Sequence, residues 1–238
     1  MSLRGCFVAG TDTGVGKTRV SAALLHWLNG AGIAAVGYKP VAAGMEWLDG
    51  RWINEDVGCL QRNGLAGIVA ERIGPCQLRQ ACAPHIAAGL EGRVIDRSAL
   101  LRGAHDLQSE AQFIVAEGAG GLIVPLGHDW DSADLALDLG LPVVLVVGLR
   151  LGCLNHALLT AEALAARGLA LAGWVANTLD AGMPQLRRNI ETLEHELQRR
   201  HQAPCLGIIP ELDTPDAAHV AAFFNGEVLR VRLGLPPA

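Results

Sequence analysis

The chain has 238 residues, half of them hydrophobic, and a net charge of −5. That length suits one α/β domain with a large core, and with a net charge of −5 no basic field points to nucleic acid. No apolar run approaches the ~20 residues of a membrane span and no secretory leader pattern opens the chain, so a cytoplasmic protein without membrane contact is expected.

In chain order, Cys6–Ala9 predicts a first strand ending at Gly10, and Lys17–Leu28 a helix closed by Gly30 and Gly32. Ala34–Tyr38 predicts a second strand, stopped by Pro40, and residues 42–55 a loop. From Asp56 to Leu90 the pattern predicts helical pieces broken at Gly64, Gly74, Pro75 and Pro84, followed by a helix over Ser98–Gln108. Phe113–Glu117 is an apolar run ending in an acid and Gly-Ala-Gly-Gly, which predicts a buried strand. Asp131 or Ser132 caps a helix through Leu139, and Pro142–Val147 is a further buried strand. A helix over Cys153–Arg167, a strand over Leu171–Asn177 and a helix over Pro184–Arg200, with Pro near its first turn, come next. Cys205–Ile209 predicts the last strand and Ala217–Phe224 a short helix. The alternation predicts an α/β fold: one domain spanning residues 1–238, with a doubly wound, mostly parallel sheet flanked by helices.

The six cysteines form no CxxC pair and no zinc-ligand spacing, so they read as small buried hydrophobes in a reducing compartment.

The strongest local signal is Gly10-Thr-Asp-Thr-Gly14-Val15-Gly16-Lys17-Thr18, set between a strand and a helix. Such a loop turns its backbone N–H groups toward phosphate oxygens, and the helix start adds its positive dipole end. Lys17 would reach the β- and γ-phosphates and the Thr18 hydroxyl would ligate Mg2+, which makes the fold a P-loop NTPase type. The loop is a variant, because Thr11 holds the usual first-glycine position and Gly10 lies one residue earlier. Only two lysines occur, Lys17 and Lys39; every other cation is Arg. A compact ammonium is the group that reaches phosphate through a narrow gap, which singles out both lysines.

Glu117 ends a strand, at the sheet edge where α/β folds bind ligands, and is either a metal carboxylate or a solvent-facing acid. Asp56 is either a second metal carboxylate or a helix cap. His85 reads as a packed helix histidine.

Five segments in order carry a family resemblance: Gly10-Thr-Asp-Thr-x-Val-Gly-Lys-Thr, Gly37-Tyr-Lys-Pro-Val-Ala-x-Gly, Glu117-Gly-Ala-Gly-Gly, Gly152-Cys-Leu-Asn-His-Ala and Gly173-Trp-Val-Ala-Asn. With Ala83-Pro-His-Ile and Gly207-x-Ile-Pro, the set resembles dethiobiotin synthetases over residues 5–212. The resemblance implies an ATP- and Mg2+-dependent cyclo-ligase that converts 7,8-diaminopelargonate and bicarbonate-derived CO2 into dethiobiotin, ADP and phosphate. One amine is carbamylated, the carbamate oxygen takes the γ-phosphoryl group, and the second amine closes the ring.

The resemblance also places Thr18, Asp56 and Glu117 at the metal, and Lys17 and Lys39 at the reacting groups. It places Gly14–Thr18, Gly118, Ala119, Gly120, Asn177, Ile209, Pro210 and Glu211 around the nucleotide. It puts Thr13, Ala43, Leu151, Gly152 and Asn155 on the substrate side, the last three across a homodimer interface. Two departures stand out. Ala43 replaces a serine found in some members, and no tyrosine occupies the late helix, where Arg187, Arg188 and Asn189 are the candidates for carboxylate recognition. A partitioning-type ATPase switch is the rival reading. Its loop carries an additional lysine, whereas Thr11, Asp12 and Thr13 stand here.

Overall fold

The computed structural model describes residues 2–213 and 216–237. Six strands form the central sheet: β1 (Gly5–Gly10), β2 (Ala35–Tyr38), β7 (Phe113–Glu117), β8 (Val143–Leu149), β9 (Leu171–Thr178) and β10 (Cys205–Ile209). Their order is β10-β9-β8-β1-β7-β2, and every pairing is parallel. Every residue of β8, sequence VVLVVGL, is buried, as a strand covered by helices on both faces requires. From β1 the chain moves toward β2 on one side, and from β8 toward β9 and β10 on the other. The order therefore reverses beside β1, and ligands of open α/β sheets sit beyond the carboxyl ends of the strands at such a point.

Helices pack around this sheet in groups. One group is α1 (Lys17–Gly30) with α2 (Glu55–Asn63) and α9 (Ala217–Ala221); a second is α5 (Arg97–Gln108) with α6 (Ser132–Leu139); a third is α7 (Cys153–Ala166) with α8 (Leu186–His201). Asp131 is the N-cap of α6, and its side chain accepts from Ala133 N and Asp134 N. Pro184 lies ahead of α8, whose cap is Gln185, so the helix begins later than the proline suggests. A final helix α10 (Gly226–Arg232), capped by Asn225, was not legible in the sequence.

The segment read as a loop over residues 42–55 contains three strands. β3 (Val41–Ala43) pairs in parallel with β6 (Cys76–Leu78), and β4 (Glu46–Leu48) forms an antiparallel hairpin with β5 (Arg51–Ile53). The hairpin turns at Asp49-Gly50, both at positive φ, and sets Trp47 opposite Trp52 in an edge-to-face pair. The helical region after Asp56 likewise holds β6 between α3 (Ala70–Ile73) and α4 (Pro84–Leu90). These strands are three residues long, too short to show a period of two.

Among the described residues no helix is long and apolar enough to cross a membrane. Five of the six cysteines are buried or half-buried, and Cys82 is the exposed exception.

Candidate active site

The carboxyl ends of β1, β2 and β7 deliver the site. The loop from Thr11 to Gly16 leaves β1, Lys39 follows β2, and Glu117 is the last residue of β7. They meet Asp56, in the first turn of α2, around a cleft of about 760 Å³. Its walls include Thr13, Gly14, Gly16, Lys17, Thr18, Lys39, Ala43, Asp56, Glu117, Ala119 and Gly120, all singled out from the sequence. Ala81, Cys82, Ala83, Pro84, Gly121 and Val124 complete it; of these, the Ala83-Pro-His-Ile and Glu117-Gly-Ala-Gly-Gly motifs had touched Ala83, Pro84 and Gly121.

The loop curls because two glycines allow it. Gly16 has φ +92, and a Cβ there would fall 2.3 Å from Asn177 Nδ2. At Gly10 a Cβ would meet Val15 Cγ2 at 2.8 Å and Asp12 O at 3.0 Å, so this earlier glycine makes room for the curl in the variant loop. The curl is then fastened by side chains. Lys17 Nζ donates to Asp12 O at 3.0 Å, Asp12 Oδ1 accepts from Thr13 N at 2.7 Å, and Arg150, beyond β8, pairs with Asp12 Oδ2. Asn177 Nδ2 donates to Val15 O at 2.9 Å from β9. The N-terminus of α1 has no side-chain cap, which leaves its first N–H groups free for an anion.

At the centre lies a compact charge cluster. Lys39 is 3% exposed; its ammonium donates to Asp56 Oδ2 at 2.8 Å and to Glu117 Oε1 at 2.5 Å. Burial works against that charge, but the carboxylates of Glu117 and Asp56 outweigh it and hold the Lys39 pKa above the ordinary lysine value. Asp56 shows the reverse balance: burial would raise its pKa, and the Lys39 ammonium holds it below the usual carboxylate range. Lys17 lacks such close partners. Burial, helped by the nearby Lys39 charge, lowers it to about 8.

The Thr18 hydroxyl lies 2.8 Å from Asp56 Oδ1 and 2.7 Å from Glu117 Oε1. One hydroxyl proton cannot serve both contacts. Glu117 Oε2 is buried without a hydrogen-bond partner. Three oxygen donors with excess acceptor capacity fit a small hard cation such as Mg2+. No three of His, Cys, Asp and Glu gather at a metal-binding distance among the described residues, so a cation here would draw its other ligands from elsewhere.

Two open readings close here. Glu117 is fully buried, not solvent-facing, and the cap of α2 is Asn54 rather than Asp56. His85 is exposed at the start of α4 instead of packed, with Nδ1 3.2 Å from Pro125 O.

Several predicted positions lie outside the cleft walls. Val15 is buried under the loop, and Gly118 sits behind Glu117, where its carbonyl lies 3.4 Å from Lys39 Nζ. Asn177 pairs in register with Ile209 at the adjoining sheet edge; Pro210 follows, and Glu211 Oε2 accepts from Ala181 N. Asn177 Oδ1 is buried without a partner. Leu151, Gly152 and Asn155 are exposed at the start of α7, away from these walls. Arg187, Arg188 and Asn189 stand on the exposed face at the start of α8, where Arg187 pairs with Glu191 and Asn189 with Gln185 O. The pairing of Asp12 with Arg150 and of Asn54 with Gly44 left no sign in the sequence.

Comparison with known proteins places this geometry in a family. An AAA-domain family model matches residues 4–218. The ATP-dependent dethiobiotin synthetase BioD of Aromatoleum aromaticum is 49% identical over 92% of this chain and 96% of that protein. The protein of the same name from Janthinobacterium sp. (strain Marseille) is 47% identical over 92% of this chain and 93% of its own. Among solved structures, MinD complexed with Mg-ADP from Pyrococcus horikoshii superposes with a TM-score of 0.53 at 18% identity, covering 99% of this chain and 87% of that one. The MinC:MinD complex of Aquifex aeolicus gives 0.54 at 13% identity, covering 99% and 97%. At such identities these structures share the fold alone, whereas the two synthetases match nearly end to end. The chain belongs to the dethiobiotin synthetase family.

Proposed function

We propose that the chain, acting as one domain, is an ATP-dependent dethiobiotin synthetase that joins CO2, drawn from bicarbonate, to 7,8-diaminopelargonate and releases ADP and phosphate. The observation that carries this reading is the convergence of the chain's two lysines on Thr18, Asp56 and Glu117 in one cleft. The likeness to synthetases at 49% and 47% identity favours it over the ATPase switch, whose solved relatives resemble the chain only in fold.

In this reading Gly14–Thr18 wrap the triphosphate and Lys17 offsets charge on its β- and γ-phosphates. Gly118, Ala119 and Gly120 bring backbone close to the nucleotide. Asn177, with Ile209–Glu211 beside it, recognises the base; its unpartnered Oδ1 is an acceptor suited to an exocyclic amino group. Thr18, Asp56 and Glu117 would hold Mg2+, which would supply positive charge to offset the phosphates.

Lys39 serves the diamine side. Only a neutral amine adds to CO2, and a cation close by favours the neutral form. The resulting carbamate oxygen attacks the γ-phosphorus, ADP leaves, and the mixed anhydride carries the activated carbonyl. The second amine attacks that carbonyl, phosphate departs with the C–O electron pair, and the ureido ring closes. Positioning by Thr13 and Ala43 and charge stabilisation by Lys39 and Lys17 are the protein's contributions. The uncapped start of α7, with Leu151, Gly152 and Asn155 exposed, suits a carboxylate, and we assign it to the substrate of a partner protomer in a cytoplasmic homodimer.

The test is phosphate release from ATP, Mg2+ and bicarbonate with and without the diamine. Release that depends on the diamine supports the ligase; equal release in its absence favours the switch.

A further inference from the structure

We propose that Asn54 is a positioning residue that couples the metal side of the cleft to its substrate side. This rests on the ligase reading for the meaning of the two sides, while the coupling itself stands on the geometry.

Asn54 is 7% exposed and uses both ends of its amide. Oδ1 accepts from Val57 N at 3.2 Å, capping the turn of α2 that carries Asp56. Nδ2 donates to Gly44 O at 2.9 Å, ten residues earlier in the chain. The whole Trp47–Trp52 hairpin projects between these two points, and its two strands are largely exposed. Along the chain, only that exposed excursion joins Gly44 to α2.

Gly44 is fixed on its other side as well. Its N–H is shared between Leu78 O at 3.0 Å and Gln80 O at 3.1 Å, and the next residue, Met45, donates to Arg79 O at 3.1 Å. Ala43, immediately before Gly44, lines the cleft together with Ala81, Cys82 and Ala83, and Ala81 packs beside Gly44. The Asn54 side chain thus joins the residue that follows Ala43 to the helical turn that holds Asp56. Any shift of that turn when the Asp56 carboxylate takes a new partner is passed to the Ala43 wall through one part-buried hydrogen bond. A cap alone requires no donor, and serine or aspartate caps as well as asparagine. The donating half of the amide is therefore what the coupling requires.

The test uses the full chain with Asn54→Asp, which keeps a capping oxygen and has no donor, and Asn54→Ser, which keeps a capping oxygen but replaces the amide donor with a hydroxyl on a shorter side chain. Backbone hydrogen exchange is followed in segments 41–45 and 55–58, with and without Mg2+ and a non-hydrolysable ATP analogue. In the wild type both segments slow together. In both variants only 55–58 slows, the diamine KM rises about fivefold to tenfold as expected for one lost part-buried hydrogen bond, and the ATP KM stays within about twofold. The melting temperature falls by no more than about 2–4 °C. A response of segment 41–45 that survives in both variants overturns the coupling, as does a loss of turnover that merely tracks lost stability. If the wild type itself shows no diamine-dependent turnover, the ligase reading falls, and the exchange data still decide the coupling.

Discussion

Lys39 Nζ lies 2.8 Å from Asp56 Oδ2, at the point where one ammonium also neutralises the buried Glu117 carboxylate. Glu117 is thereby held away from bulk water, whereas the Asp56 carboxylate stays partly open to the cleft. Lys39→Met removes the compensation and leaves a buried carboxylate facing another acid. Breaking one side of a buried pair costs about 3–5 kcal/mol, so the variant melts lower than the wild type. The deficit is expected to be larger in EDTA than in Mg2+, because the metal replaces the missing charge. Turnover falls at least ~100-fold while nucleotide binding persists. Melting curves in the two buffers and steady-state kinetics check this.

Gly16 and Asn177 form a second coupled pair. In Gly16→Ala the new methyl meets Asn177 Nδ2 at 2.3 Å, and alanine must also adopt φ +92. Nucleotide affinity is expected to fall at least ~100-fold, since left-handed strain and the clash each cost about 1–3 kcal/mol. Asn177→Ala in the same chain relieves only the clash. The double variant should therefore recover part of the stability lost to Gly16→Ala, but not the nucleotide affinity. Calorimetric titration and thermal unfolding of the two single variants and the double variant measure the coupling.

Much of the fold was legible because buried parallel strands are continuous apolar runs, as in Val143–Leu149, and because Lys17 to Gly30 keeps a helical apolar face. The glycine pattern and the scarcity of lysine pointed to Lys17, Thr18, Lys39 and Glu117, which the structure brings together. What stayed hidden depends on contacts across the chain. The short strands of the 41–53 segment have no period to read. Arg150 reaches Asp12 across 138 positions, and Asn54 reaches Gly44 across the hairpin. Neither pairing leaves a local mark.

Cys6 is expected to be one of the groups that lower stability at alkaline pH. Burial pushes its thiol from the ordinary 9 up to about 12. The unfolded chain therefore ionises first. Above pH 9 it binds fewer protons than the folded state, and stability falls as pH rises toward 12. One such group contributes a slope of up to ~1.4 kcal/mol per pH unit. The buried Tyr38 hydroxyl, which donates to Leu100 O at 2.5 Å, is also shifted upward by burial and adds the same sign at higher pH. Urea unfolding between pH 8.5 and 11 should give a shallower decline in Cys6→Ala than in the wild type.

Cys82 is the exposed thiol on the cleft wall. Under native conditions at pH 8, iodoacetamide should modify it ahead of Cys6, Cys76 and Cys153, which are buried. On the proposed placement of the nucleotide in this cleft, Mg2+ with ATP should slow that modification. Peptide mass mapping over time distinguishes this from equal labelling with and without nucleotide.

The central claim is that γ-phosphoryl transfer in this cleft activates a carbamate for ring closure. Its most direct test supplies 13C-bicarbonate, ATP, Mg2+ and 7,8-diaminopelargonate, and follows label, ADP and phosphate together. The account predicts one labelled carbon in the ureido carbonyl of dethiobiotin for each ADP formed. ADP that accumulates while the label never enters a cyclic product would contradict it.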